Sequence, residues 1–149
     1  MQNSQKVFEV GKDLTLDQAL ERFQQANESL QYLLENYDEI CRGGGDNVRR
    51  YLGTVGLTSG LYGISKVLKI LKDQAEVEDI VEFNELSEEL VAAINQADGS
   101  AYMAIFTGTS TSGVPPERFY DDAKTEIKQA MKTMQALQKQ LGIKTAAGA

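Results

Sequence analysis

Apolar residues recur at helical spacing through most of the chain. Leu20, Phe23, Leu30, Leu34, Tyr37 and Cys41 share one stripe, and Ala19, Ala26, Leu33 and Ile40 widen it. A stripe of that width lets a helix bury one face in a core. Thr15 precedes Gln18 by three residues, the spacing of a capping box, and predicts where this helix starts. Arg42-Gly43-Gly44-Gly45 predicts its stop, because glycine is the usual terminator. A short second piece follows in "NVRRYLGT", with Asp46 as its predicted cap and Val48, Leu52 and Val55 on its apolar side. Leu61, Ile64, Val67, Leu68 and Leu71 then restore the period, with Lys66, Lys69 and Lys72 on the polar side.

Two further stripes complete the pattern. Ile80, Phe83, Leu86, Leu90, Ile94, Ala97, Ala101 and Ile105 predict a long helix that begins within the acidic run Glu76 to Glu89. Gly99 interrupts it at a cost of about 1 kcal/mol relative to alanine, which close packing would justify. The small polar run from Thr107 to Glu117 predicts a loop, and Pro116 suits the first turn of the next helix. Phe119, Ala123, Ile127, Ala130, Met134, Leu137 and Leu141 form the last stripe, and Gly142 ends it. No persuasive strand alternation occurs. The expectation is an all-α, up-down-up-down four-helix bundle over residues 14–141, with an N-terminal arm at 1–13 and a flexible C-terminal tail at 142–149.

The stretch "GTVGLTSGLYG", Gly53 to Gly63, sets four glycines at helical spacing. A Walker phosphate loop requires Gly-Lys-Ser/Thr between a strand and a helix, and neither the lysine nor the strand is here. The stretch is either a continuous helix with a small-residue strip or a break between helices, with Thr58 or Ser59 capping the second. Gly53, Gly56 and Gly60 would together cost a continuous helix about 3 kcal/mol, so a break near residues 53–60 is the expectation.

Composition narrows the function classes. The 149 residues suit one domain, and at 42% apolar they can fill a core. The formal charge of −7 argues against a nucleic-acid binder and against a basic helix on anionic membranes. The start, "MQNSQKVFEVGKD", has no signal-peptide pattern, and no apolar run approaches the roughly 20 residues of a membrane span. With one cysteine, Cys41, no internal disulfide can form, and its position on an apolar face predicts an inert thiol.

The absence of histidine removes the commonest general base and metal ligand, and with them a Ser-His-Asp triad and a Glu-x-x-His di-iron site. No S-x-x-K dyad motif is present. The carboxylates from Glu76 lack the alternation of a calcium loop and read as a solvated face. No catalytic, cofactor-binding or metal-ligating residue is therefore assigned. The basic residues are the stronger candidates. Arg42, Arg49 and Arg50 surround the triple-glycine turn, and Lys66, Lys69 and Lys72 follow. In an acidic chain they form a candidate partner-binding patch, set against a scatter of solubilising charges. Arg49 has a second reading, as a structural residue that binds carbonyls at the end of the first helix.

"DNVRRYLGTVG", Asp46 to Gly56, with "LYGISKVLKIL" after it, resembles the PsbQ-like extrinsic subunits of photosystem II from diatoms and related algae. "FNELSEELVAAINQADGSAYMAIF" and the stretch from Pro116 to Lys124 are also similar, and the resemblance spans roughly residues 14–141. It implies a non-catalytic four-helix bundle in the chloroplast thylakoid lumen, peripheral to the membrane and monomeric in solution. Its implied partners are the photosystem II core and other extrinsic subunits. The implied role is to shield the manganese-calcium cluster and help retain calcium and chloride, with no cofactor of its own. The competing expectation is a generic helical protein-binding module, adaptor or chaperone-like, outside photosynthesis. An enzyme or metalloprotein is the third class and has the least support.

Overall fold

A computed structural model describes residues 14–107 and 113–143. The arm at 1–13, part of the Thr107 to Glu117 loop and most of the C-terminal tail lie outside the described residues. Within them the chain is all-α and no strand occurs. Six helices follow one another: α1 (Leu16–Glu35), α2 (Tyr37–Cys41), α3 (Gly45–Leu52), α4 (Ile64–Gln74), α5 (Ile80–Thr107) and α6 (Pro116–Gln140).

The capping box forms as the spacing predicts. Gln18 N–H donates to Thr15 Oγ1 at 3.1 Å, and Thr15 N–H donates to Gln18 Oε1 at 2.9 Å. The first stripe does not run as one helix to Cys41, because Asn36 interrupts it. The Asn36 amide and backbone N–H both donate to the Tyr32 carbonyl at 3.0 Å. Such a side-chain bond competes with the helical ladder and bends the chain. The apolar period survives the bend, since Leu33, Tyr37 and Ile40 are all buried. Asp46 does not cap α3; Gly44 holds that position and Asp46 lies in the first turn.

The break at the glycine stretch is real. Helix α3 ends at Leu52 and helix re-forms only at Ile64. Gly53 adopts φ 82°, and Thr54 N–H bonds back to the Arg49 carbonyl at 3.2 Å. Glycine reaches this left-handed conformation without a side-chain penalty, which closes the helix end. Gly60 answers a different need: a Cβ there would stand 2.6 Å from the Gln25 carbonyl oxygen and 2.5 Å from Ser29 Oγ, on α1. Neither Thr58 nor Ser59 caps α4, whose N-cap is Gly63. Ser59 instead ties the turn together, donating to the Tyr51 carbonyl at 2.8 Å and accepting from Leu61 N–H at 3.0 Å.

The acidic run is divided between a linker and a helix. Glu76 and Glu78 precede α5, and Asp79 Oδ1 caps it by accepting from Val81 and Glu82 N–H groups. Gln140 at the end of α6 fastens this linker. Its carbonyl accepts from Glu78 N–H at 3.0 Å and its side-chain oxygen from Asp79 N–H at 2.8 Å.

Helices α5 and α6 make the most extensive pairing, and α1 packs against both α4 and α6. The buried face of α5 is rich in alanine (Ala93, Ala97, Ala101, Ala104), which lets backbones approach closely. Phe23, Leu30, Leu71, Phe83, Ile127 and Met134 fill one core and are fully or almost fully buried. At one end Tyr37 Oη donates to the Tyr120 carbonyl at 2.5 Å, joining α2 to α6. Gly99 has no atom near enough to meet a Cβ, so close packing does not account for it.

Candidate docking surface

Arg49 lies on α3, which packs across α5. Its Nε donates to Asp98 Oδ1 on α5 at 2.8 Å, and Nη1 reaches Asp46 Oδ1 at 3.2 Å. Thr54 Oγ1 donates to the same Asp98 oxygen at 2.5 Å. The guanidinium also lies over the Tyr102 ring, 4.9 Å from its centroid. The hydrogen bond that Arg49 donates to Asp98 is the largest influence holding its pKa above its ordinary value. With its side chain only 20% exposed, Arg49 bonds α3 to α5 and has little surface left for a partner. Arg49 is thus structural, but its side chain bonds the carboxylates of Asp98 and Asp46 and not carbonyls at the end of the first helix.

The other five candidates are spread over the surface. Arg42 is exposed and pairs with Glu39 at 2.6 Å. It faces a shallow recess shared with Lys124 of α6. Arg50 is exposed on α3, with its aliphatic stem beside Gly56. Lys69 and Lys72 are exposed on α4 and line a groove against α5, opposite Asn84, Ser87 and Glu88. Lys66 is half-buried on the same helix. Glu88 and Asp98 are ten positions apart on α5, so the lysine groove and Arg49 are about 15 Å apart along that helix. The sequence neighbourhood of Arg49, Lys69 and Lys72 therefore does not make one continuous patch.

An apolar feature escaped the pattern reading. Tyr102, Met103 and Phe106, near the end of α5, are each close to half exposed. The rings of Tyr102 and Phe106 meet edge to face, 5.0 Å apart. Beside them a recess between α5 and α6 is walled by Met103 and Phe119, with Asp122 and Glu126 at its rim. The signal was present in "AYMAIF", where apolar residues fill both faces of the helix instead of one.

Cys41 is half-buried and unpaired, and burial pushes its thiol pKa up, as expected of an inert thiol. Among the described residues no three metal-ligating side chains converge, and no helix is long and apolar enough to cross a membrane. Compared with protein-family models, curated proteins and solved structures, the chain matches none of them.

Proposed function

We propose that the protein is a non-catalytic extrinsic subunit of photosystem II, docking from the thylakoid lumen and helping to retain calcium and chloride at the manganese-calcium cluster. In this reading α1, α4, α5 and α6 form an up-down-up-down four-helix bundle, and α2 and α3 make its first long connection. The observation that supports the reading is the joining of its most specific segment to a second stretch of the resemblance. "VRRYLGT" supplies Arg49 and Thr54, and "NQADG" supplies Asp98, which both of them bind. The resemblance thus falls on side chains that support one another and not only on a bundle's periodicity. Docking draws on the exposed cations, Arg42, Arg50, Lys69 and Lys72, with Lys66 beside them and Arg49 as their structural support. Exposed ion pairs contribute only about 0–1 kcal/mol each, so binding needs several and weakens with salt.

Rebinding to salt-washed photosystem II tests this. The expected result is saturable binding that restores oxygen evolution at low calcium and chloride. No binding under any ionic condition overturns the reading. The exposed Tyr102, Met103 and Phe106 favour the second reading, a helical protein-binding module outside photosynthesis, because a purely ionic dock has no use for them. The presence or absence of a bipartite transit peptide in the encoded precursor separates the two.

A further inference from the structure

We infer that the groove between α4 and α5 is a binding site for a single-chain anionic amphiphile, such as a long-chain carboxylate. The groove is open to solvent and offers about 490 Å³, with Leu68, Val91 and Ala92 as its apolar lining. Lys69 and Lys72, one turn apart on α4, stand on one wall. Neither forms an ion pair with a described residue. Glu88 on the opposite wall is occupied by the Asn84 amide at 3.5 Å, and the two lysines outnumber it. A second cavity of about 150 Å³ adjoins the first and shares Ser65, Val91 and Asn95 with it. This inner end lies beneath the glycine turn and is lined by Leu52, Leu61, Ile64 and Ile94. All four of these are buried core residues.

The two cavities together have a polarity. Lys69 and Lys72 line one end, and the apolar core residues line the other. A ligand that satisfies both ends carries a negative head and an aliphatic body. The combined space is within the roughly 300–1,000 Å³ range of small-ligand pockets. The break at Gly53 to Gly63 creates the inner end, because the turn there leaves α3 and α4 unjoined by helix. A neutral or cationic amphiphile leaves the lysines without a counter-charge, and a small anion leaves the apolar end empty. The inference does not rest on the photosystem reading, though both draw on Lys69 and Lys72, and it is tested on the isolated protein.

The experiment is titration of the isolated protein with laurate below its micelle concentration, followed by calorimetry and by methyl NMR. The expected result is one site, with shifts at the Leu52, Leu61 and Ile64 methyls. Dodecyltrimethylammonium should bind more weakly, by up to about thirtyfold, as expected if two exposed ion pairs are lost. Lys69→Gln with Lys72→Gln should weaken laurate by a similar factor while leaving dodecyl maltoside unchanged. Ser65→Trp, at an exposed position where the cavities meet, should block the inner methyl shifts without lowering the melting temperature. Equal binding of laurate and the cation, unchanged binding in the lysine variant, or inner methyls that do not respond would each overturn the site. Binding only to phosphatidylglycerol vesicles, with none to monomeric laurate, would also overturn it.

Discussion

Arg49 and Asp98, 49 positions apart in sequence, meet through a 2.8 Å hydrogen-bonded ion pair that fastens α3 to the middle of α5. Both side chains are about three-quarters covered, and Thr54 and Tyr102 complete the cluster. A charged hydrogen bond of this kind contributes about 1.5–3 kcal/mol, less the screening that partial exposure allows. Arg49→Ala is therefore expected to cost about 1–2 kcal/mol in urea unfolding, and Asp98→Ala a similar amount. A double-mutant cycle should return a coupling clearly above zero; additive losses would mean that the pair contributes no mutual stabilisation.

Arg42 and Arg50 should behave differently. Arg42→Glu and Arg50→Glu remove exposed cations, so each should change stability by no more than about 0.5 kcal/mol. Combined, they should reduce rebinding to salt-washed photosystem II, most visibly at low salt. Retained binding with retained stability would remove these two residues from the docking surface.

The glycines divide by what surrounds them. Gly99 is helical, and a methyl group there meets nothing within 4 Å. Gly99→Ala is expected to raise stability by about 0.5–1 kcal/mol, from helix propensity and a less flexible unfolded chain. Gly60→Ala should do the reverse, because its Cβ would press on the α1 backbone at Gln25. Thermal melts of the two variants should shift in opposite directions.

Stability should fall at alkaline pH, and Tyr37 is one cause. Burial is the largest influence raising its pKa above the ordinary 10.0, and the neutral hydroxyl donates to Tyr120. The folded state thus holds this proton more tightly than the unfolded chain does. The associated stabilisation is fully present below about pH 10 and is lost as pH rises above it. Cys41 acts in the same direction from its ordinary 9.0. Tyr37→Phe should lower stability at neutral pH by about 1 kcal/mol through the lost hydrogen bond. Its denaturant midpoint should then fall less between pH 8 and pH 11 than that of the parent protein.

Periodicity by itself determined that the chain is helical, and it located most of the core, because a helix buries one face and repeats it every three or four residues. Phe23, Leu30, Ile127 and Met134 are buried where their spacing puts them. Local chemistry likewise determined the Thr15 cap, the stop after Cys41 and the break after Leu52, since each depends on residues only a few positions apart. The interruption at Asn36 was not legible, because one side-chain bond to Tyr32 leaves the apolar period intact. The functional surface depended on tertiary structure for a related reason. The sequence places Arg49 among neighbouring cations, as a patch residue or a structural one, and Lys69 and Lys72 on the polar side of their helix. Only packing α3 against α5 gives Arg49 its distant carboxylate, and only setting α4 beside α5 turns Lys69 and Lys72 into the wall of an apolar-lined groove. Contacts between residues tens of positions apart leave no periodic trace, so the chain's order could suggest these charges but not which were already occupied.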